Sequence, residues 1–264
     1  MSPSGSHSDI RKENATSDFL KAASEGNLAA LEKAYAQGAA VNRSDKQDNT
    51  ALIWGGTHGS VPMLDFLFAR GAETCAVNAA GNNALMQALA QGHEQAAAFC
   101  LKKSFNMTAV NHEGQSAFAI AAKNNLVSLF DDIVAQGTPI QTEDAQGRTP
   151  LMIAAAAGHT AAVQKILSYP DTRLEDRDKE GHTALMLACL GGYRDCAVSL
   201  LKAGARVDVA DARGRDMMFY ARQWGLEDEV KQAFSRYDVK QITEGSKRDI
   251  SVVKPLSIRR RGYQ

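Results

Sequence analysis

The stretch from Asp178 to Val209, DKEGHTALMLACLGGYRDCAVSLLKAGARVDV, decides how this chain folds. It opens on a polar turn closed by Gly181. Thr183 follows, a residue type whose side-chain oxygen caps a helix by accepting an orphan backbone N–H. The apolar run Leu185 to Cys189 makes a first helix, and Gly191-Gly192 breaks it. A second helix carries Ala197, Val198, Leu200 and Leu201, and Gly204 suits the left-handed residue that ends it. Both helices are too short to be stable alone, so neighbouring units must supply the stability.

Neighbouring units are present. Glycines in the same turn context stand at Gly81, Gly114, Gly147, Gly181 and Gly214, at intervals of 33, 33, 34 and 33 residues. A fixed period of this size marks stacked helix–turn–helix units. The helix start recurs as Thr50-Ala51-Leu52, Asn83-Ala84-Leu85 and Thr149-Pro150-Leu151, and the break between helices as Gly92-His93 and Gly158-His159. In these motifs the chain resembles the ankyrin repeat family over residues 17–234. The resemblance implies an all-α ankyrin-repeat solenoid with short β-turn or hairpin fingers. We align seven units, including N- and C-terminal caps marked by Lys21, Arg222 and Glu229 at positions that are small or apolar elsewhere. Residues 1–16 are then expected to be a flexible N-terminal segment and 235–264 a basic tail.

Departures from the family pattern are informative. The histidine that follows the Thr-Pro-Leu triplet in the family is absent, and Ile53, Met86, Ala119, Met152, Met186 and Phe219 stand in its place. More apolar contacts between units are expected. Ser104 replaces a helix-ending glycine and Asn125 a mid-unit glycine, so the centre should be the least regular part.

The chain has 264 residues, 30 basic and 30 acidic side chains, and 44% hydrophobic residues, as suits a folded protein. Zero net charge gives no support to general nucleic-acid or membrane-surface binding. Residues 235–264 hold eight Lys or Arg against three acids, a surplus of five, so the rest of the chain carries minus five. No window approaches a membrane span, and Met1 to Asn14 has no apolar run of a secretory signal. Cys75, Cys100, Cys189 and Cys196 form no paired motif, which points to a reducing compartment: the cytoplasm, or the nucleus in a eukaryote.

No nucleophile–base set, phosphate-cradling loop or zinc motif is visible, so catalytic residues, cofactor and metal are all read as none. Cys100, Cys189 and Cys196 fall at core positions, with Cys75 in a loop; His93 and His159 have a structural place in the family. The Gly55-Gly56 pair reads as helix packing, and Trp54 as a packed first-helix residue.

The resemblance implies non-enzymatic protein–protein recognition, by an adaptor, inhibitor or structural subunit, on the concave face and finger tips. Aligned to the family, the partner-binding positions are Lys46, His58, His112, Lys123, Arg148, Lys179, His182, Leu190, Arg213, Arg215 and Trp224. The cations Arg148, Lys179, Arg213 and Arg215 call for an acidic or mixed-charge protein segment. Leu190 and Trp224 beside them have the composition of a binding hot spot, unless Trp224 packs under the tail. A monomer or a subunit of a hetero-complex is expected, with nucleic acid not a partner of the array. The alternative is attachment to nucleic acid or an anionic membrane through the tail, with the array holding a protein cargo.

Overall fold

The computed structural model describes residues 7–103 and 105–232. Among the described residues, α-helices are arranged as pairs, with one 3-10 turn. The first helices of the pairs are α1 (His7–Ser24), α3 (Ala51–His58), α5 (Ala84–Ala90), α7 (Ala117–Lys123), α9 (Pro150–Ala156), α11 (Ala184–Leu190) and α13 (Met217–Trp224). The second helices are α2 (Leu28–Ala36), α4 (Val61–Phe68), α6 (Glu94–Leu101), α8 (Phe130–Ala135), α10 (Thr160–Leu167) and α12 (Arg194–Lys202). Residues 227–232 are again helical. Each first helix packs on the next, α1 through α13, and the second helices form a parallel layer behind them.

The helix starts follow from local chemistry. Thr50, Asn83, Ser116, Thr149, Thr183 and Asp216 each accept the backbone N–H three residues on, at 2.8–3.4 Å. Each such cap stabilises its helix by about 1 kcal/mol. The rest comes from stacking. Ile53, Met86, Ala119, Met152 and Met186 are 1% exposed or less, because the next unit covers them, so the apolar replacements for the family histidine are well packed. Phe219, the sixth of the series, is 40% exposed at the end of the described array. One apolar cluster runs unbroken from Ala15 to Val230.

Close approach of the first helices requires small residues. A Cβ on Gly56 would lie 2.2 Å from the Ala84 carbonyl oxygen, so only glycine lets α3 and α5 meet. The centre is irregular as expected. Asn125 has φ 57°, and the 3-10 turn Val127–Leu129 replaces the first turn of the second helix. Ser104 lies outside the described residues.

The N-terminal boundary moves. The described part of the segment expected to be flexible is helical from His7 onward. Ala15, Phe19 and Ala22 form an i, i+4, i+7 stripe, each at most 3% exposed, that packs into the first unit. Thr16 Oγ1 also accepts the Ala40 amide at 3.1 Å, tying this part of α1 to the following loop.

Candidate partner-binding surface

Each finger is built by its first residue. Asp45 Oδ1 accepts the amides of Gln47 and Asn49, both at 2.9 Å. Asn78, Asn111, Asp144, Asp178 and Asp211 do the same for the residues two and four positions on. Short antiparallel bridges, Ser44 with Thr50, Val110 with Ser116 and Ala210 with Asp216, close three of these hairpins. Backbone bonds then join finger to finger: Ala79 N to Gln47 O, His112 N to Ala80 O, Ala145 N to Glu113 O, Lys179 N to Gln146 O and Ala212 N to Glu180 O, at 2.7–3.0 Å. The fingers are therefore one fixed edge.

Four of the expected partner-binding residues prove to be engaged within the array. His182 is a correction: it is buried, 4% exposed, not displayed at a tip. Its Nδ1 lies 3.1 Å from Asp178 Oδ2, and its Nε2 faces Arg215 Nη2 at 3.4 Å, so two acids and an arginine of adjacent fingers hold it inside. Arg148 pairs with buried Asp144, Nε to Oδ2 at 2.9 Å, and Arg215 with buried Asp211 at 2.6 Å. His58 is exposed at the end of α3, but its Nε2 meets the Ser24 carbonyl at 2.9 Å and its ring stacks on Trp54. Trp54 is half-buried, with its indole N–H donated to Asp45 Oδ2 at 3.0 Å.

Six of the expected residues are displayed. Lys46, His112 and Lys179 are exposed on fingers, and Lys123 and Leu190 end first helices, Leu190 at 45% exposure. Arg213 is exposed and loosely paired with Glu180 at 3.9 Å. The side chain of Trp224 and the tail 235–264 lie outside the described residues. The cationic cluster expected at the C-terminal fingers is thus largely neutralised: three of its four members face an acid. Arg177 is also committed, donating to the Ala210 carbonyl at 2.6 Å across adjacent fingers.

Electrostatics centre on Asp211. Burial pushes its carboxyl pKa up, but hydrogen bonds from Tyr220, from the Arg215 amide and guanidinium and from the Arg213 amide outweigh that and hold it well below the usual carboxylate range. Asp45 shows the same balance, its burial offset by the Asn49 and Gln47 amides and by Trp54. Burial raises the Cys100 and Cys189 thiols to about 12, so neither is a thiolate at neutral pH. Among the described residues no group of three or more His, Cys, Asp or Glu is placed to hold a metal ion.

Sequence reading missed Tyr193. It takes the position that His93 and His159 hold in other units, where each ring reaches back to the previous unit's backbone. The Tyr193 ring lies instead across Gly158 and Gly191, where an added Cβ would sit 2.3 Å away in either case, and it stays 38% exposed. A tyrosine standing where two other units carry histidine was the available signal. Val77 and Val110, each just before a finger, are also exposed.

The geometry defines a class: a solenoid of helical pairs with a fixed edge of fingers over a palm of first helices. Residues 118–211 match the family model for ankyrin repeats in three copies. The fold is similar to the crystal structure of the human ASB11 ankyrin repeat domain, with a TM-score of 0.73 and 22% identity over 81% of this chain and 96% of that one. No curated protein sequence matches. Residues 118–211 are therefore ankyrin repeats, and the fold around them is the ankyrin-repeat solenoid. Ankyrin repeats are in general protein–protein interaction modules. Among the described residues no helix is long and apolar enough to cross a membrane.

Proposed function

We propose that this protein is a non-catalytic adaptor, inhibitor or structural subunit that receives a protein segment between its fingers and palm. The observation that carries the reading is the exposure of Leu190, at the end of the first helix α11, and of Tyr193, at the start of α12, both in the sixth unit. Large apolar side chains left 45% and 38% exposed on a rigid surface gain from being covered. Lys179 and Arg213 with Glu180 rim the fingers of the fifth and sixth units, so a partner with an apolar anchor and mixed charge fits best. The finger-to-finger backbone bonds support binding by a preformed surface, which loses little conformational entropy on association. The four free cysteines, three of them buried, are consistent with work in a reducing compartment such as the cytoplasm.

The test is site-specific photo-crosslinking in native extract. A benzophenone side chain is placed at residue 190, and as a control at Ala161, exposed on the second-helix layer. Covalent adducts to a discrete protein from position 190 and not from 161 are expected. Adducts from 161 alone, or from neither, would move the interface elsewhere.

A further inference from the structure

In four fingers the first residue is aspartate, and its carboxylate is used twice. One oxygen takes the turn amides. The carboxylate also accepts the side chain of the fifth finger residue: Asn49 Nδ2 at 3.4 Å, Arg148 Nε at 2.9 Å, His182 Nδ1 at 3.1 Å and Arg215 Nε at 2.6 Å. The two central fingers differ, because Asn78 and Asn111 replace the aspartate. The Oδ1 atoms of both accept two backbone N–H groups, which can only donate, so the orientation of each amide is fixed. Their Nδ2 groups therefore donate outward, from Asn78 to Asn49 Oδ1 at 3.1 Å and from Asn111 to Asn82 Oδ1 at 3.0 Å.

This ladder consumes the oxygen of Asn82 and leaves its Nδ2 with no acceptor in its own finger. Gln115 is in the same position. It is only 4% exposed, its Oε1 is turned toward Asn111 Nδ2 at 3.5 Å, and its Nε2 has no partner among the described residues. Asn82 and Gln115 both line a cleft of about 390 Å³ between the central fingers and the palm, together with Lys123, which forms no ion pair among the described residues. Neither nitrogen is sealed from solvent, so each can donate to an acceptor that enters the cleft. Two amide donors and one ammonium match a planar, singly charged carboxylate. Glu113 also lines the cleft and opposes any anion, a doubly charged phosphate group more strongly than a carboxylate.

We infer that this cleft is a carboxylate subsite that takes the side chain of an aspartate or glutamate from the partner segment. The inference rests on the concave-face reading above and names the chemistry the central fingers add to it.

The probe is a random dodecapeptide library panned against the immobilised full-length chain. Enriched peptides are made with acetylated and amidated ends, and their affinities are measured by fluorescence anisotropy. The decisive variant is Asn111→Asp. Aspartate is what four other fingers carry, so the turn is preserved. Its second oxygen would draw in the Asn82 and Gln115 amides and add a charge against the ligand. We expect enriched peptides to share an Asp or Glu at a constant place. Changing that residue to Asn or Gln, or making Asn111→Asp or Lys123→Met, should each weaken binding by about tenfold or more, with the circular dichroism spectrum unchanged. Peptides without a constant acid, amidated peptides that fail where free C-termini bind, or affinities that tolerate Asn111→Asp would overturn the subsite. If such peptides still depend on Leu190 and Tyr193, the concave-face reading stands without it. A library that yields no binder at all counts against both.

Discussion

The Tyr220 hydroxyl donates to Asp211 Oδ2 at 2.5 Å, joining the last described first helix to the last finger inside the protein. Both side chains are fully buried, and Arg215 completes the group by pairing with the same oxygen. Tyr220→Phe keeps the ring and leaves the carboxylate one donor short. A hydrogen bond to a charged group contributes about 2 kcal/mol. Urea unfolding at neutral pH should show a loss of that size, and an unchanged midpoint would mean that the contact is not made in solution.

The same pair sets a pH window. Asp211 is held below its ordinary value, so its contribution to stability is present above the unfolded-state pKa near ~4 and is lost as pH falls through the lower folded value. Tyr220 is raised, by burial first and then by Asp211, so its contribution is present below the unfolded-state value near ~10 and is lost at higher pH. The stability difference between the parent protein and Tyr220→Phe should be largest between these limits and shrink on acidification. A difference that grows below pH ~4 would contradict the assignment of the carboxylate as acceptor.

Gly56 and Gly71 should respond to alanine in an order that backbone angles alone would reverse. Gly71 has φ 74° but open space around its Cβ position, so Gly71→Ala should cost about 1 kcal/mol of left-handed strain. Gly56 is helical, yet an added Cβ lies 2.2 Å from the Ala84 carbonyl oxygen. Gly56→Ala must push α3 away from α5, at a cost of about 3 kcal/mol or more. Thermal melts of the two variants compare the effects directly, and a milder effect at Gly56 would show that the helices can part easily.

Much of this fold was legible because its determinants are local. Thr50, Thr149 and Thr183 announce their helices through bonds three residues long, and Gly204 ends one through its own φ of 94°. The site was less legible because its determinants lie about one unit apart. His182 faces Asp211, twenty-nine places on, as well as Asp178, and a family alignment gives its position without its burial. His58 is tied to Ser24 of the preceding unit. The first turns of α1 carry no repeat motif, and only packing of Ala15 against the array reveals them. Asn78 and Asn111 differ from their aspartate counterparts by one atom type, and the consequence emerges only when each hydrogen bond is followed to its partner.

Thiol labelling gives an independent check on the stacked core. Cys75 is exposed, whereas Cys100, Cys189 and Cys196 are buried and their thiols are held up by burial. In native buffer iodoacetamide should add one label, placed at Cys75 by peptide mass, and the other three should react only in denaturant. Rapid native labelling at Cys189 would mean that α11 leaves the array.

Charge reversal separates the two arginines of the last finger. Arg213 is 70% exposed at its side chain and faces Glu180 at 3.9 Å, a surface pair worth little. Arg213→Glu should leave stability nearly unchanged and should lower affinity if the partner presents an acid there. Arg215 is different. Its guanidinium bonds buried Asp211, approaches His182 Nε2 and lies over the Phe219 and Tyr220 rings at 5.3 and 5.4 Å. Arg215→Glu places a second carboxylate against Asp211 and removes a buried acid's partner, which costs about 3 kcal/mol or more. The last finger and α13 should then unfold early, seen as a lower thermal midpoint and loss of the amide protection at Arg213 and Arg215 that Asp211 confers. Equal behaviour of the two reversals would show that Asp211 does not organise this finger, and that Arg215 belongs with Arg213 on the free surface.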